Sequence, residues 1–356
     1  MDDQRRSDYQ IDSPGEKTCM VVHGPEAFDH GDVSRLSARI RPDRIVVAGV
    51  MARTAAEESG ISCEYGNMPP SRVIGEIEGR VFLVNHAKTD LSGRVFGEIV
   101  ASRLGVRGLV HVECTSRVIY LWNCGDRVLA HDLSVKTGFP LVEAVAPVRL
   151  PASTRTIRGC LAGEPVYVNG LVIGHATGEE VVLIVKDGNI VPISGLEPKL
   201  HGLGKVAGIG TGDIAHAWCK SGGIRASPPV RHTGETNKTG KVLMIDHCGH
   251  DLYRHLSPGT CGIVSVGDDT TAVCGHITAH RGIPVFGIVD GDADHILPPA
   301  FAPGSVIVEV LDGRDDDVGN EIAVHVDGNT VYWPSFVEKM LAILKGRVRI
   351  VIDARG

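Results

Sequence analysis

KVLMIDHCGHDLYRHLSPGTCGIVSVGDDTTAVCGHITAHRGIPVFGIVDGDAD, residues Lys241 to Asp294, contains three apolar runs, each closing on a glycine or acidic turn. Val242–Ile245, Gly262–Val266 and Pro284–Val289 read as strands. A short helix over Asp251–Leu256 and a longer one over about Thr270–His280 separate them. Strands that stay apolar, without polar alternation, predict a mostly parallel sheet buried on both faces. Ser305–Val310 reads as a fourth strand. A hairpin at Asp327-Gly328, a helix over Pro334–Leu344 and a strand at Val348–Ile352 complete this unit, placed at 241–356.

Upstream, the same alternation recurs. Strands are predicted at Cys19–His23, Arg44–Val50, Val81–Asn85, Gly108–Val112 and Val118–Trp122, and helices at Asp32–Ile40, Ala52–Ser59 and Gly93–Leu104. This predicts a Rossmann-like α/β domain at 18–150, after a disordered leader at 1–17. Between the two units the runs shorten, and Asn169-Gly170 and Asp187-Gly188 are strong two-residue hairpin signals. A small antiparallel β insert is therefore expected at 151–205, with a linker or active-site loop at 206–240. The fold class is α/β, two mostly parallel-sheet domains joined by the insert.

Composition narrows the function classes. A chain of 356 residues exceeds what one core usually organises. The net charge of -7 gives no bulk support to a nucleic-acid footprint, and 4% aromatics offer little base stacking. Nine cysteines without a CxxC pair argue against a secreted disulfide framework. No signal peptide or membrane-length apolar run is visible, so a cytoplasmic protein is expected.

Ligands of an open parallel sheet gather outside the carboxyl ends of its strands. The runs of the C-terminal unit end at Asp246, at Asp268-Asp269 and at Asp290-Gly291-Asp292-Ala293-Asp294. Carboxylates brought that close repel one another, and a hard cation offsets the repulsion. Asp246, Asp290 and Asp292 are the expected metal ligands, with Asp268, Asp269 and Asp294 as secondary ones, and Mg²⁺ or Mn²⁺ as the cofactor. An EF-hand is excluded, because counting from Asp290 puts His295 at position six and Phe301 at position twelve. The alternative role for these aspartates is turn formation and capping, with Asp269 as an N-cap before Thr270. His247 or His250 would move protons beside the cluster. A transition-metal site built from His247, Cys248, His250, His255, Cys261, Cys274 and His276 is a further reading, although the spacing fits no standard zinc motif.

The runs Val242–Asp246, Cys261–Thr271 and Ile288–Asp292 resemble a Toprim domain, the metal-binding α/β unit of primases and topoisomerases, over residues 241–312. In that resemblance Asp290 and Asp292 match an Asp-x-Asp pair, and Asp246 stands where the family usually has Glu. The whole chain is also similar to an archaeal family found mainly in methanogens, domain of unknown function 2117. Val22-His23-Gly24-Pro25-Glu26 and Ala48–Ala55 carry that similarity. It implies an archaeal, cytoplasmic setting and no particular reaction.

The N-terminal strands end at His23-Gly24-Pro25-Glu26, at Arg53-Thr54 and at His86-Ala87-Lys88-Thr89. Arg53, Thr54, Lys88 and Thr89 are candidates to hold a nucleotide or phosphorylated metabolite, with His23, Glu26 or His86 as acid/base groups; capping and solvent exposure are the competing roles. Neither Gly-x-Gly-x-x-Gly nor Walker A is present. The leading expectation is a Mg²⁺-dependent enzyme acting on a phosphate-containing small molecule or nucleic acid. The alternatives are a non-catalytic nucleotide- or cofactor-binding regulator and a methanogen cofactor-biosynthesis enzyme using the N-terminal crevice.

Overall fold

The computed structural model describes residues 17–355 except 67, 148–152, 210–213, 215, 216, 292, 295 and 299. The expected leader therefore lies almost wholly outside the described residues, and Asp292 and His295 lie outside them too.

The N-terminal sheet has seven strands: β1 (Thr18–His23), β2 (Arg44–Ala48), β3 (Glu64–Gly66), β4 (Arg80–Asn85), β5 (Leu109–Glu113), β6 (Val118–Trp122) and β7 (Leu141–Ala144), in the order β3-β2-β1-β4-β5-β6-β7. The first five in chain order run parallel; β6 turns back against β5, and β7 follows β6. The helices are α1 (Glu26–Asp29), α2 (Asp32–Ile40), α3 (Val50–Ser59), α4 (Pro70–Glu76), α5 (Asp90–Leu104) and α6 (Arg127–Thr137). Helices α1, α2, α3 and α6 bury Phe28, Leu36, Ala55 and Leu133 on one face, while α4 and α5 bury Ile74 and Val100 on the other. Strand order reverses direction between β1 and β4, which makes the carboxyl ends of these strands the topological switch point.

The insert contains β8 (Thr154–Arg158), β9 (Pro165–Val168), β10 (Leu171–Ala176), β11 (Glu180–Lys186), β12 (Asn189–Ser194), β13 (Leu196–Pro198), α7 (Leu200–Ile209) and β14 (Cys219–Ser221). Asn169-Gly170 joins β9 to β10, and Asp187-Gly188 joins β11 to β12, with all four residues at positive φ. That geometry matches the two-residue turn whose twist suits antiparallel strands. β14 comes from the stretch expected to be linker and pairs with β9, because Cys219–Ser221 completes the sheet edge.

The C-terminal sheet is β15 (Thr239–Asp246), β16 (Thr260–Val266), β17 (Val285–Val289), β18 (Val306–Val310), β19 (Val331–Tyr332) and β20 (Val348–Asp353), ordered β19-β15-β16-β17-β18-β20. Its central four strands are parallel and in close register: Asp246 pairs with Val266, Val266 with Ile288, and Ile288 with Val308. Every residue of β16 and β17 is buried, which is why their sequence shows no polar alternation. α8 (Leu252–His255) links β15 to β16, and α9 (Asp268–Thr278) packs on β16 and β17. α10 (Asp315–Ala323) and α11 (Trp333–Ile343) cover the opposite face through Val318, Ile322, Phe336 and Met340. Two local expectations are corrected. Asp327-Gly328 makes no hairpin; β19 pairs instead with β15, and the Asp327 carboxylate accepts from Asn329. Asp269 is not the N-cap of α9; Gly267, at φ 98, takes that position.

Met51 of α3, Tyr167 of β9 and Val172 of β10 share one buried cluster with Ile245, Ile263 and Ile277. The three units thus meet in a common core.

Candidate functional site

Parallel register sets the site. Since β15 to β18 end level, the chain segments after them emerge along one sheet edge. Asp246 and His247 follow β15, Asp268 and Asp269 open α9 after β16, Asp290 follows β17, and Asp315 and Asp316 open α10 after β18. Gly267 makes the abrupt passage from β16 into α9 possible. At φ 98 it sits where side chains are strained, and a Cβ there would lie 3.2 Å from His247 Nε2.

Carboxylate oxygens of Asp268, Asp290 and Asp315, from three separate elements, lie within 4.8 Å of one another. Asp268 Oδ2 also accepts from the backbone N–H of Asp290 at 3.0 Å and of Gly291 at 3.2 Å, tying the first turn of α9 to the end of β17. Asp315 is only 6% exposed. Burial raises its carboxyl above the usual range, and the charge of Asp290 raises it further. A second group stands alongside: Asp246, His247 and Asp316 bring their ligand atoms within 4.8 Å. His247 Nδ1 lies 2.6 Å from Asp246 Oδ1 and 3.7 Å from Asp316 Oδ1, and Arg314 pairs with Asp316.

Asp294 and Asp269 do something else. Asp294 is held by Lys199 Nζ at 2.7 Å, and its backbone N–H donates to Asp269 Oδ1 at 3.3 Å. Burial, then the neighbouring Asp294 charge, raises the Asp269 carboxyl well above the usual carboxylate range. Neither residue joins the Asp268–Asp290–Asp315 group. Asp246 lies with Asp316, not with Asp290. His250 is exposed, 3.6 Å from Asp251, outside both groups. Among the described residues neither group contains a cysteine, and Cys261 and Cys274 are buried in the core, so the transition-metal reading gathers no ligand set.

Asp315 and Asp316 escaped the sequence reading. The signal was present: Ser305–Val310 was predicted as the fourth strand, and the acidic run Asp315-Asp316-Asp317 follows it. Extending the strand-end argument one strand further finds it.

The N-terminal candidates separate. Arg53 pairs with Glu57 and lies over the rings of Tyr65 and Tyr253 at 4.5 and 4.0 Å. Buried Thr54 donates to Val50 O and meets Tyr253 Oη at 2.9 Å. Both therefore serve the contact with the C-terminal unit. Thr89 caps α5 in a reciprocal pair with Ser92. Lys88 reaches across to the insert, pairing with Glu164 and Ser221. Near it, burial lowers Lys220 to about 8 and raises the Glu26 carboxyl. His23 Nδ1–H donates to Ala48 O at 2.8 Å, and burial holds the imidazole at about 4. His86 Nδ1 lies 2.7 Å from Asp32 Oδ2, and its ring stacks on His30 at 4.1 Å.

Among the described residues no helix is long and apolar enough to cross a membrane. No solved structure matches the chain. It is similar to an uncharacterized protein of Methanocaldococcus jannaschii, 29% identical over 338 residues, covering 88% of this chain and 92% of the relative. A family model described as "Uncharacterized protein conserved in archaea", domain of unknown function 2117, matches residues 20–330. The chain belongs to that archaeal family.

Proposed function

We propose that the acidic edge of the C-terminal sheet holds a divalent cation, Mg²⁺ or Mn²⁺, and works on a phosphate-bearing substrate by phosphoryl or phosphodiester transfer or hydrolysis. The convergence of Asp268, Asp290 and Asp315 carries the reading. An all-carboxylate donor set suits hard cations and disfavours zinc. Asp246 and Asp316 stand next to it as outer groups, and the likeness of residues 241–312 to a Toprim unit points the same way.

A bound cation in such a site would supply charge neutralisation at phosphoryl oxygens. The protein's own part is positional. Asp268 locks the end of β17 through two backbone donors, which fixes Asp290. Asp246 orients the imidazole of His247 through Nδ1 and leaves Nε2 for proton transfer.

The test is metal-linked stability. Millimolar Mn²⁺ should raise the melting temperature of the wild type and leave Asp290→Asn unmoved, since a ligand stabilises only the state that binds it. Equal shifts in both proteins remove the proposal. Hydrolysis of a model phosphodiester should follow the same pattern, with Asp290→Asn lowering the rate by about 100-fold or more.

A further inference from the structure

A cavity of about 360 Å³ opens in the N-terminal sheet beside the carboxyl end of β4, next to the switch point. It is remote in sequence from the acidic edge and uses none of its residues. Arg35 and Arg39 of α2, Arg117 of the β5–β6 turn, and the stacked His30 and His86 line it. Asp32 is the one acidic side chain in the lining. Three arginines against one aspartate leave the wall with two net positive charges, in a chain whose net charge is -7.

Each of these cations lines the space and has donors to spare. Arg35 spends bonds on His30 O and Asp32 Oδ1, and Arg39 spends one on Thr137 O. A guanidinium has five N–H donors, so both keep several. Arg117 is exposed, and its side chain makes no hydrogen bond or ion pair among the described residues. Asp32, buried at 7% exposure, takes the Nδ1 side of His86 and leaves Nε2 as the free ring nitrogen. Leu36, Cys114 and Phe139 add apolar wall. Small-molecule sites combine these features: a concave apolar body, a few converging polar groups, and a volume from about 300 Å³ upward.

We infer that this cavity binds the phosphate group of a small phosphorylated molecule. Guanidinium groups from two elements, α2 and the β5–β6 turn, suit a tetrahedral oxyanion with several acceptor oxygens. A lone carboxylate needs only one bidentate arginine. The site differs from the four residues first suspected, of which Arg53, Thr54 and Thr89 are committed to docking and capping.

The experiment is calorimetric titration of the full chain with inorganic phosphate in metal-free buffer, with succinate as the carboxylate probe. Metal-free conditions keep the acidic edge out of the measurement. Arg117→Asn is the informative variant. Residue 117 sits at φ 54, which asparagine tolerates, so the fold should persist, and an unchanged melting curve checks this. Phosphate should bind the wild type, bind Arg117→Asn about tenfold more weakly, the loss of one charge-assisted hydrogen bond, and bind Arg117→Lys within a few-fold of wild type. Absence of phosphate binding, an unchanged affinity in Arg117→Asn, or tighter binding of succinate than phosphate overturns the inference.

Discussion

At the scale of single residues, the acidic edge carries a conflict between stability and ligand binding. Asp315 is buried, its carboxyl is raised, and Asp290 is a like charge beside it. Without metal, Asp315→Asn should therefore stabilise the protein by about 1 kcal/mol, a few degrees of melting temperature. With Mn²⁺ the order should invert, because only the wild type gains binding energy. Melting curves with and without Mn²⁺ read both signs; a variant less stable in metal-free buffer contradicts the repulsion. Sequence alone located Asp268 and Asp290 at one crevice, because strand ends in a parallel sheet follow from the pattern of apolar runs. It grouped Asp246 with Asp290, whereas Asp246 gathers with His247 and Asp316, and Asp290 with Asp268 and Asp315. Neighbour relations across a sheet edge depend on loop paths, and these leave no periodic trace.

At the scale of elements, α5 shows why packing overrides propensity. Gly93 and Gly97 lie one turn apart on the face toward β5. A Cβ at Gly97 would come within 2.2 Å of His111 Nδ1, and one at Gly93 within 2.5 Å of Glu113 Cγ. Both partners are fully buried. Helix propensity favours alanine over glycine, yet Gly97→Ala should cost about 1–3 kcal/mol through overpacking. Gly75 in α4 has nothing within 4 Å, so Gly75→Ala should gain about 0.5–1 kcal/mol. Thermal melts of the two variants should move in opposite directions, and a gain in both would mean that propensity governs both sites. The sequence predicts this helix from about Gly93, three residues inside its observed start at Asp90. The buried strands and both hairpins were legible because burial and turn geometry dictate residue type. Strands β3, β7, β8, β13, β14 and β19 were missed: all are sheet edges of five residues or fewer with few buried positions, where the residues answer to solvent as much as to the sheet.

At the scale of the whole molecule, buried charge holds the units together. Arg225, 4% exposed, donates to Asp29 at 2.8 and 2.5 Å and to Glu58 at 2.6 Å, joining the segment before the C-terminal sheet to α1 and α3. Arg225→Met strands two carboxylates and should cost about 3–5 kcal/mol. A melting temperature close to wild type would show that the carboxylates find other partners. His276 of α9 lies against this network, with Nε2 3.3 Å from Arg225 Nη1. Burial holds it at about 4, and the Arg225 charge adds to the effect while Asp29 opposes it. Its unfolded value is near 6.5, so between pH 4 and 6.5 the unfolded chain binds the proton that the folded one refuses. This contribution to stability is complete above pH 6.5 and is lost as pH falls toward 4. His23, held at about 4, and His111, at about 3, act in the same sense. The two fully buried histidines, His111 and His276, each add on the order of 1.4 kcal/mol per pH unit to acid lability within that window, and the partly exposed His23 adds less. Carboxylates contribute as well, so the wild-type profile alone does not assign the effect. The difference between wild type and His276→Gln does: the variant's melting temperature should fall less between pH 6.5 and 4.5, and parallel profiles would show that His276 is charged in the folded state.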